Sequence, residues 1–86
     1  MARYSNEQLR EALRRAAESL FERSISDIEL DRIVDSYNAV DGTAFEKTIK
    51  SFAAFSYLTE AQVRAKASSD NTDRLIDDFI SMVEGR

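Results

Sequence analysis

The chain of 86 residues contains no cysteine, no histidine and no proline, and it has only two glycines. Without cysteine there can be no disulfide framework. Without cysteine or histidine, the usual structural zinc sites, thiol nucleophiles and histidine bases are also excluded. The candidate catalytic groups are then carboxylates, lysine, tyrosine and hydroxyls, and no pattern of these indicates an active site. We expect a protein that is not an enzyme and that has no catalytic residue, metal or cofactor.

The scarcity of proline and glycine also bears on the fold class. Strands and hairpins are usually punctuated by these residues, yet glycine occurs only at Gly42 and Gly85. Helices are therefore the expected secondary structure.

Long apolar runs are missing as well. No segment approaches the roughly 18 consecutive apolar residues of a membrane span. The N-terminus leads directly into a charged amphipathic run, without the apolar core of a signal peptide. These features predict a soluble, cytoplasmic protein that does not enter a membrane.

What the sequence does contain is a repeated signal for the start of a helix. In a capping box, a Ser or Thr and a Glu or Gln three residues later each bind the other's backbone N–H. The spacing occurs at Ser5/Gln8, Ser26/Glu29, Thr43/Glu46 and Thr59/Gln62. With the apolar stripes that follow, it predicts helices over about 6–23, 27–41, 44–57, 60–67 and 73–83. We therefore expect one domain, residues 1–86, folded as an all-α compact bundle of four to five short amphipathic helices without a sheet.

The segment 43–58 holds half of the aromatic residues and is predicted to be the central helix. Helical spacing gathers Phe45, Ile49 and Phe52 into a core stripe. Phe55 and Leu58 diverge from this stripe. We expect these two side chains to be partly exposed and to form a surface for self-association or for a partner.

Three local features complete the expected architecture. Gly42 is expected to close the second helix, because glycine readily adopts the left-handed conformation of a helix cap. The central helix is expected to break near Tyr57, before Thr59 starts the next helix. The charged face of the first helix is expected to be solvated, and it consists of Glu7, Arg10, Glu11, Arg14, Arg15, Glu18 and Glu22.

Charge is distributed along the chain in blocks. Residues 24–46 carry six acids against one arginine, whereas residues 47–67 are basic. Helical spacing places Asp27, Asp31 and Asp35 along one edge of the second helix, and Asp73 with Asp77 along the last. These acids form either a solvated face or an acidic surface that attracts a basic partner or imitates the phosphates of a nucleic acid.

These patterns favour a small non-enzymatic regulator, adaptor or inhibitor that acts by docking on a partner protein. One alternative is an acidic inhibitor of a nucleic-acid-binding enzyme, of the phage anti-defence type such as an anti-CRISPR. That analogy rests on size and charge alone. A further alternative is a helical DNA-binding regulator that presents Lys47 and Lys50 to phosphates, although the acidity of residues 27–46 disfavours direct nucleic-acid binding.

A protein is therefore the expected partner, and a homodimer is left open. The candidate partner-binding residues are Asp27, Asp31, Asp35, Asp73, Asp77, Phe55 and Leu58.

Overall fold

The computed structural model describes residues 5–68 and residue 81, and the regular secondary structure of this part of the chain is helical. The helices are α1 (Asn6–Phe21), α2 (Asp27–Ala39), α3 (Ala44–Phe55) and α4 (Glu60–Ala67). The predicted all-α bundle is confirmed. The helix predicted over 73–83 lies outside the described residues except at residue 81.

All four helices begin at the residue that the start signals predict. The hydroxyl of each N-cap residue accepts a hydrogen bond from the backbone N–H three residues later, at 3.1 to 3.2 Å. Three of the caps are complete capping boxes, since Gln8, Glu29 and Gln62 accept in return from the N-cap backbone. At the start of α3, the Glu46 side chain does not accept the predicted hydrogen bond from the Thr43 backbone N–H, so this capping box is incomplete. The Glu46 carboxylate lies over Gly42 instead, 3.1 Å from where a β-carbon on that glycine would stand.

The helix ends depart from the sequence-based prediction. α1 ends two residues early because Glu22 adopts the left-handed conformation, with φ 56° and ψ 42°. α2 ends at Ala39 because Val40 is extended, the conformation that β-branched residues favour. The prediction that Gly42 caps α2 is therefore wrong, although this glycine does have a positive φ of 135° in the connection to α3. The predicted break after the central helix occurs at Ser56, which is extended.

Helices that are neighbours in sequence pack against one another. α3 packs most extensively on α2, while α1 lies against α2 and α4 lies against α3. The apolar stripe of α1 is buried as its periodicity predicts. The core of the described part consists of Leu9, Leu13, Ala16, Ala17, Leu20, Ile25, Leu30, Ile33, Tyr37, Ile49, Phe52, Val63 and Ala67.

The buried face of α3 is rotated from the predicted stripe. Ile49 and Phe52 are fully buried, but Phe45 is only half-buried, and Thr48 and Ser51 are buried in its place. The Thr48 hydroxyl donates to the carbonyl four residues earlier at 2.7 Å, and the Ser51 hydroxyl donates to the Thr48 carbonyl at 3.0 Å. Because both hydroxyls are satisfied within the helix, their burial leaves no polar group unpaired.

The central position of Phe52 predicts a large effect of its truncation. Phe52→Ala should lower the free energy of unfolding by about 3–5 kcal/mol, because it removes a fully buried ring and leaves a cavity. The exposed control Arg15→Ala on α1 should change it by less than about 0.5 kcal/mol. Urea unfolding followed by circular dichroism measures both, and equal midpoints for the two variants would contradict this packing.

The left-handed residue after α1 predicts a stabilising substitution. Glu22→Gly should raise the free energy of unfolding by about 0.5–1 kcal/mol, because a side chain at positive φ costs about 1–2 kcal/mol and glycine partly offsets that gain with its greater freedom when unfolded. Arg15→Gly within α1 should have the opposite sign, by about 1 kcal/mol. A loss of stability in both variants, measured by urea unfolding, would show that position 22 carries no strain.

Candidate functional site

A row of charged side chains on α1 contacts the beginning of α2. Arg10, Arg14 and Glu18 are four residues apart and therefore lie on one side of α1. Arg14 donates to the Ile25 carbonyl at 2.6 Å and to the Asp27 carboxylate at 2.6 Å, while Glu18 accepts from the Ile25 backbone N–H at 2.8 Å. The prediction that this whole face of α1 is solvated is therefore wrong at these positions.

These contacts change the character of the acidic edge on α2. Asp27 pairs with Arg14, and Asp31 pairs with Arg10. The hydrogen bond from Arg14 lowers the pKa of Asp27, and the same bond raises the pKa of Arg14. Asp35 is exposed and has no ion pair with any described residue. The edge is thus a set of surface ion pairs followed by one acid, Asp35, that has no ion pair within the described residues.

The structure places the candidate acids of α2 together but says nothing of the others. Asp27, Asp31 and Asp35 are all exposed on α2. Asp73 and Asp77 lie outside the described residues, so the larger acidic surface remains a prediction.

A groove of about 370 Å³ lies where α1 and α3 end. Phe55 and Leu58, the two apolar residues that diverge from the core stripe, both line it and are both half-buried. Tyr57 between them is fully exposed. We call this feature the aromatic groove, and its lining residues are Phe21, Arg23, Phe55, Ser56, Tyr57 and Leu58.

Aromatic contacts connect the groove to the core. The Phe21 ring lies 5.4 Å, centroid to centroid, from the Phe55 ring in an edge-on arrangement, and 5.9 Å from the Phe52 ring. Such tilted and edge-on geometries are favourable for aromatic pairs. Since Phe52 is fully buried, the wall of the groove is anchored in the interior of the bundle.

Arg23 is held at the edge of the groove from two sides. Its guanidinium carbon lies 5.5 Å from the centroid of the Phe55 ring. It also donates to both carboxylate oxygens of Glu29, at 3.2 and 2.8 Å, and to the Ser24 carbonyl at 3.0 Å. The hydrogen bond from Arg23, followed by that from the Ser26 backbone, lowers the pKa of Glu29 to about 2. The aromatic face and the carboxylate together fix the guanidinium.

Four residues of the groove, Phe21, Arg23, Ser56 and Tyr57, are absent from the sequence-based candidates. The sequence pattern places Phe21 in the core stripe of α1 and Arg23 at the end of that helix. It places Tyr57 at the edge of the α3 stripe. The left-handed turn at Glu22 ends α1 before Arg23, so that this arginine leaves the helical phase. The early end of α3 at Phe55 does the same for Tyr57. These residues could have been found only by predicting where α1 and α3 end. The sequence has no glycine or proline at these two helix ends to mark them.

Other kinds of site receive no support from the described part of the chain. In residues 5–68 and residue 81, no group of three or more acidic, His or Cys side chains is placed to hold a metal ion. Among the helices described above, none combines the length and the apolar character that crossing a membrane requires. No protein-family model, curated protein or solved structure matches this chain.

The depressed pKa of Glu29 predicts an acid-sensitive contribution to stability. A carboxyl whose pKa is lowered from 4.5 to about 2 on folding stabilises the fold fully above pH 4.5, and this contribution is lost as the pH falls towards 2. Glu29→Gln keeps an acceptor for the capping box but does not titrate. Thermal unfolding between about pH 6 and pH 2 should show a smaller fall in Tm for the variant. Parallel curves for the two proteins would contradict the Arg23–Glu29 pairing.

Proposed function

We propose that this chain is a small non-enzymatic protein that docks on a partner protein through the aromatic groove, as a regulator, adaptor or inhibitor. The observation that carries the proposal is the full exposure of Tyr57 next to the half-buried Phe55 and Leu58. Apolar residues clustered at a concave surface are typical of a site that another molecule covers.

The composition of the groove supports a protein partner. Tyrosine and arginine are among the residues that contribute most to the affinity of protein interfaces, and the groove contains Tyr57 and Arg23 with two phenylalanines. Covering this apolar surface removes it from water, which is favourable by about 25 cal/mol per Å². Hydrogen bonds to the polar atoms at the edge of the groove, such as those of Arg23, can then orient the partner.

The rigidity of the groove also favours docking. Phe21 is held against the buried Phe52, and Arg23 is held by Phe55 and Glu29. Side chains that are already ordered lose little conformational entropy when a partner binds. Little of the binding free energy is then consumed in ordering this side of the groove.

Neither alternative gains comparable support. An acidic inhibitor that imitates nucleic acid needs free negative charge, yet Asp27 and Asp31 are paired with arginines of α1. A DNA-binding regulator needs free cations, yet the Lys47 ammonium lies 4.5 Å from the centroid of the Tyr37 ring. Both remain alternatives, since Asp35 is exposed and Lys50 is only half-buried.

The exposed tyrosine provides the test. Tyr57→Ala should leave Tm within about 1 °C of wild type, because the side chain makes no buried contact. It should weaken binding to a partner captured from the native host by about tenfold or more, the effect expected of a central interface residue. The matched control is Ile28→Ala, the other exposed large apolar residue of the described chain, which lies outside the groove. Equal capture by the Tyr57 variant and the wild type, measured by quantitative pull-down, would remove the groove as the docking surface.

A further inference from the structure

Arg23 gives the aromatic groove a single charge. Among the described residues that line the groove, it is the only charged one, and its partner Glu29 is not part of the lining. The ion pair is therefore oriented with its positive end towards the groove. A bound molecule would meet an apolar surface with one cation at its edge.

Arg23 also has hydrogen-bonding capacity to spare. A guanidinium has five N–H donors. Its Nη1 group donates to the Ser24 carbonyl and to Glu29, and its Nη2 group donates once to Glu29. Its Nε–H and the second N–H of Nη2 have no hydrogen-bond partner among the described residues. These N–H groups can donate to a carboxylate without breaking the existing contacts.

We propose that the groove binds a peptide segment of a partner protein in which a large apolar side chain is followed directly by Asp or Glu. The apolar side chain packs into the groove against Phe21, Phe55 and Leu58, and the carboxylate accepts from the free edge of Arg23. This assignment rests on the proposed docking function and specifies the chemistry of the partner. A cation at that position would be repelled, and a neutral amide would form weaker bonds.

Within the described chain, the most exposed segment with this pattern is the start of α2. Ile28 is exposed and is followed by Glu29. However, Glu29 is already bound to Arg23 of its own chain, and the preceding Asp27 is bound to Arg14. A second copy would therefore have to break internal ion pairs before its acids could bind, whereas a separate peptide would not.

The test uses three acetylated and amidated tetrapeptides, Ser-Phe-Glu-Ser, Ser-Phe-Gln-Ser and Ser-Phe-Lys-Ser, titrated into the ¹⁵N-labelled chain. The peptide containing Glu should shift the amide resonances of residues 55–58 and bind about threefold to fivefold more tightly than the one containing Gln. The peptide containing Lys should bind most weakly. The preference for Glu should shrink as salt is raised, because the contact is at the surface.

Three variants assign the preference to Arg23. Arg23→Gln should bind the Glu and Gln peptides equally while still binding the phenylalanine. Glu29→Gln should increase the preference for the Glu peptide, because it removes the competing carboxylate and keeps the capping acceptor. Arg15→Gln removes an exposed charge from α1 outside the groove and should leave the preference unchanged.

The outcomes separate this inference from the docking function. Equal binding of the Glu and Gln peptides by wild type, with shifts at residues 55–58, would overturn the carboxylate assignment and leave the groove as a docking surface. Binding of none of the peptides at millimolar concentration, together with unchanged partner capture by Tyr57→Ala, would overturn both. Shifts of the same resonances with protein concentration alone, and a dimer in sedimentation, would show that a second copy occupies the groove.

Discussion

The anchoring of one loop residue determines how α1 and α2 are arranged, and through Arg23 it also positions one edge of the groove. The side chain of Ile25 is buried although it lies between two helices, and both of its backbone polar groups are bound by α1, the carbonyl by Arg14 and the N–H by Glu18. A buried backbone group without a partner costs about 1–3 kcal/mol, so these bonds are what allows the loop to enter the core. The start of α2, and with it Glu29 and its partner Arg23, follows from this fixed point.

The helices could be predicted because their causes are local in sequence. A hydroxyl at the N-cap, a Glu or Gln three residues later and an apolar stripe are all visible within one segment, and they locate the four starts. The ends were harder, since without proline and with few glycines they depend on the backbone conformations of Glu22, Val40 and Ser56. Which way α3 rotates depends on the helices around it, and Thr48 is buried only because of its neighbours in space.

The candidate site was half visible in the sequence for the same reason. Phe55 and Leu58 stand out by their phase on a single helix, but Phe21 and Arg23 join them only when α1 and α3 end side by side. For the acids of α2, the sequence suggested a more strongly charged surface than the structure has. Their spacing is evident in the sequence, while the arginines that neutralise Asp27 and Asp31 are more than ten residues away along the chain. Patterns within one element predict which residues share a face, and pairing between elements decides what that face does.

The shortest of the four described helices affects how the groove behaves in solution. α4 has eight residues and buries only Val63 and Ala67, and it follows directly after the groove residue Leu58 and the cap at Thr59. An element with so few buried side chains opens locally at a lower free energy than the rest of a bundle. One wall of the groove is thus next to the part of the described chain that fluctuates most easily, while the opposite wall is fixed through Phe21 to the interior. A ligand that bridges the two walls would slow the local opening of α4, and the conformational entropy lost there would subtract from its affinity.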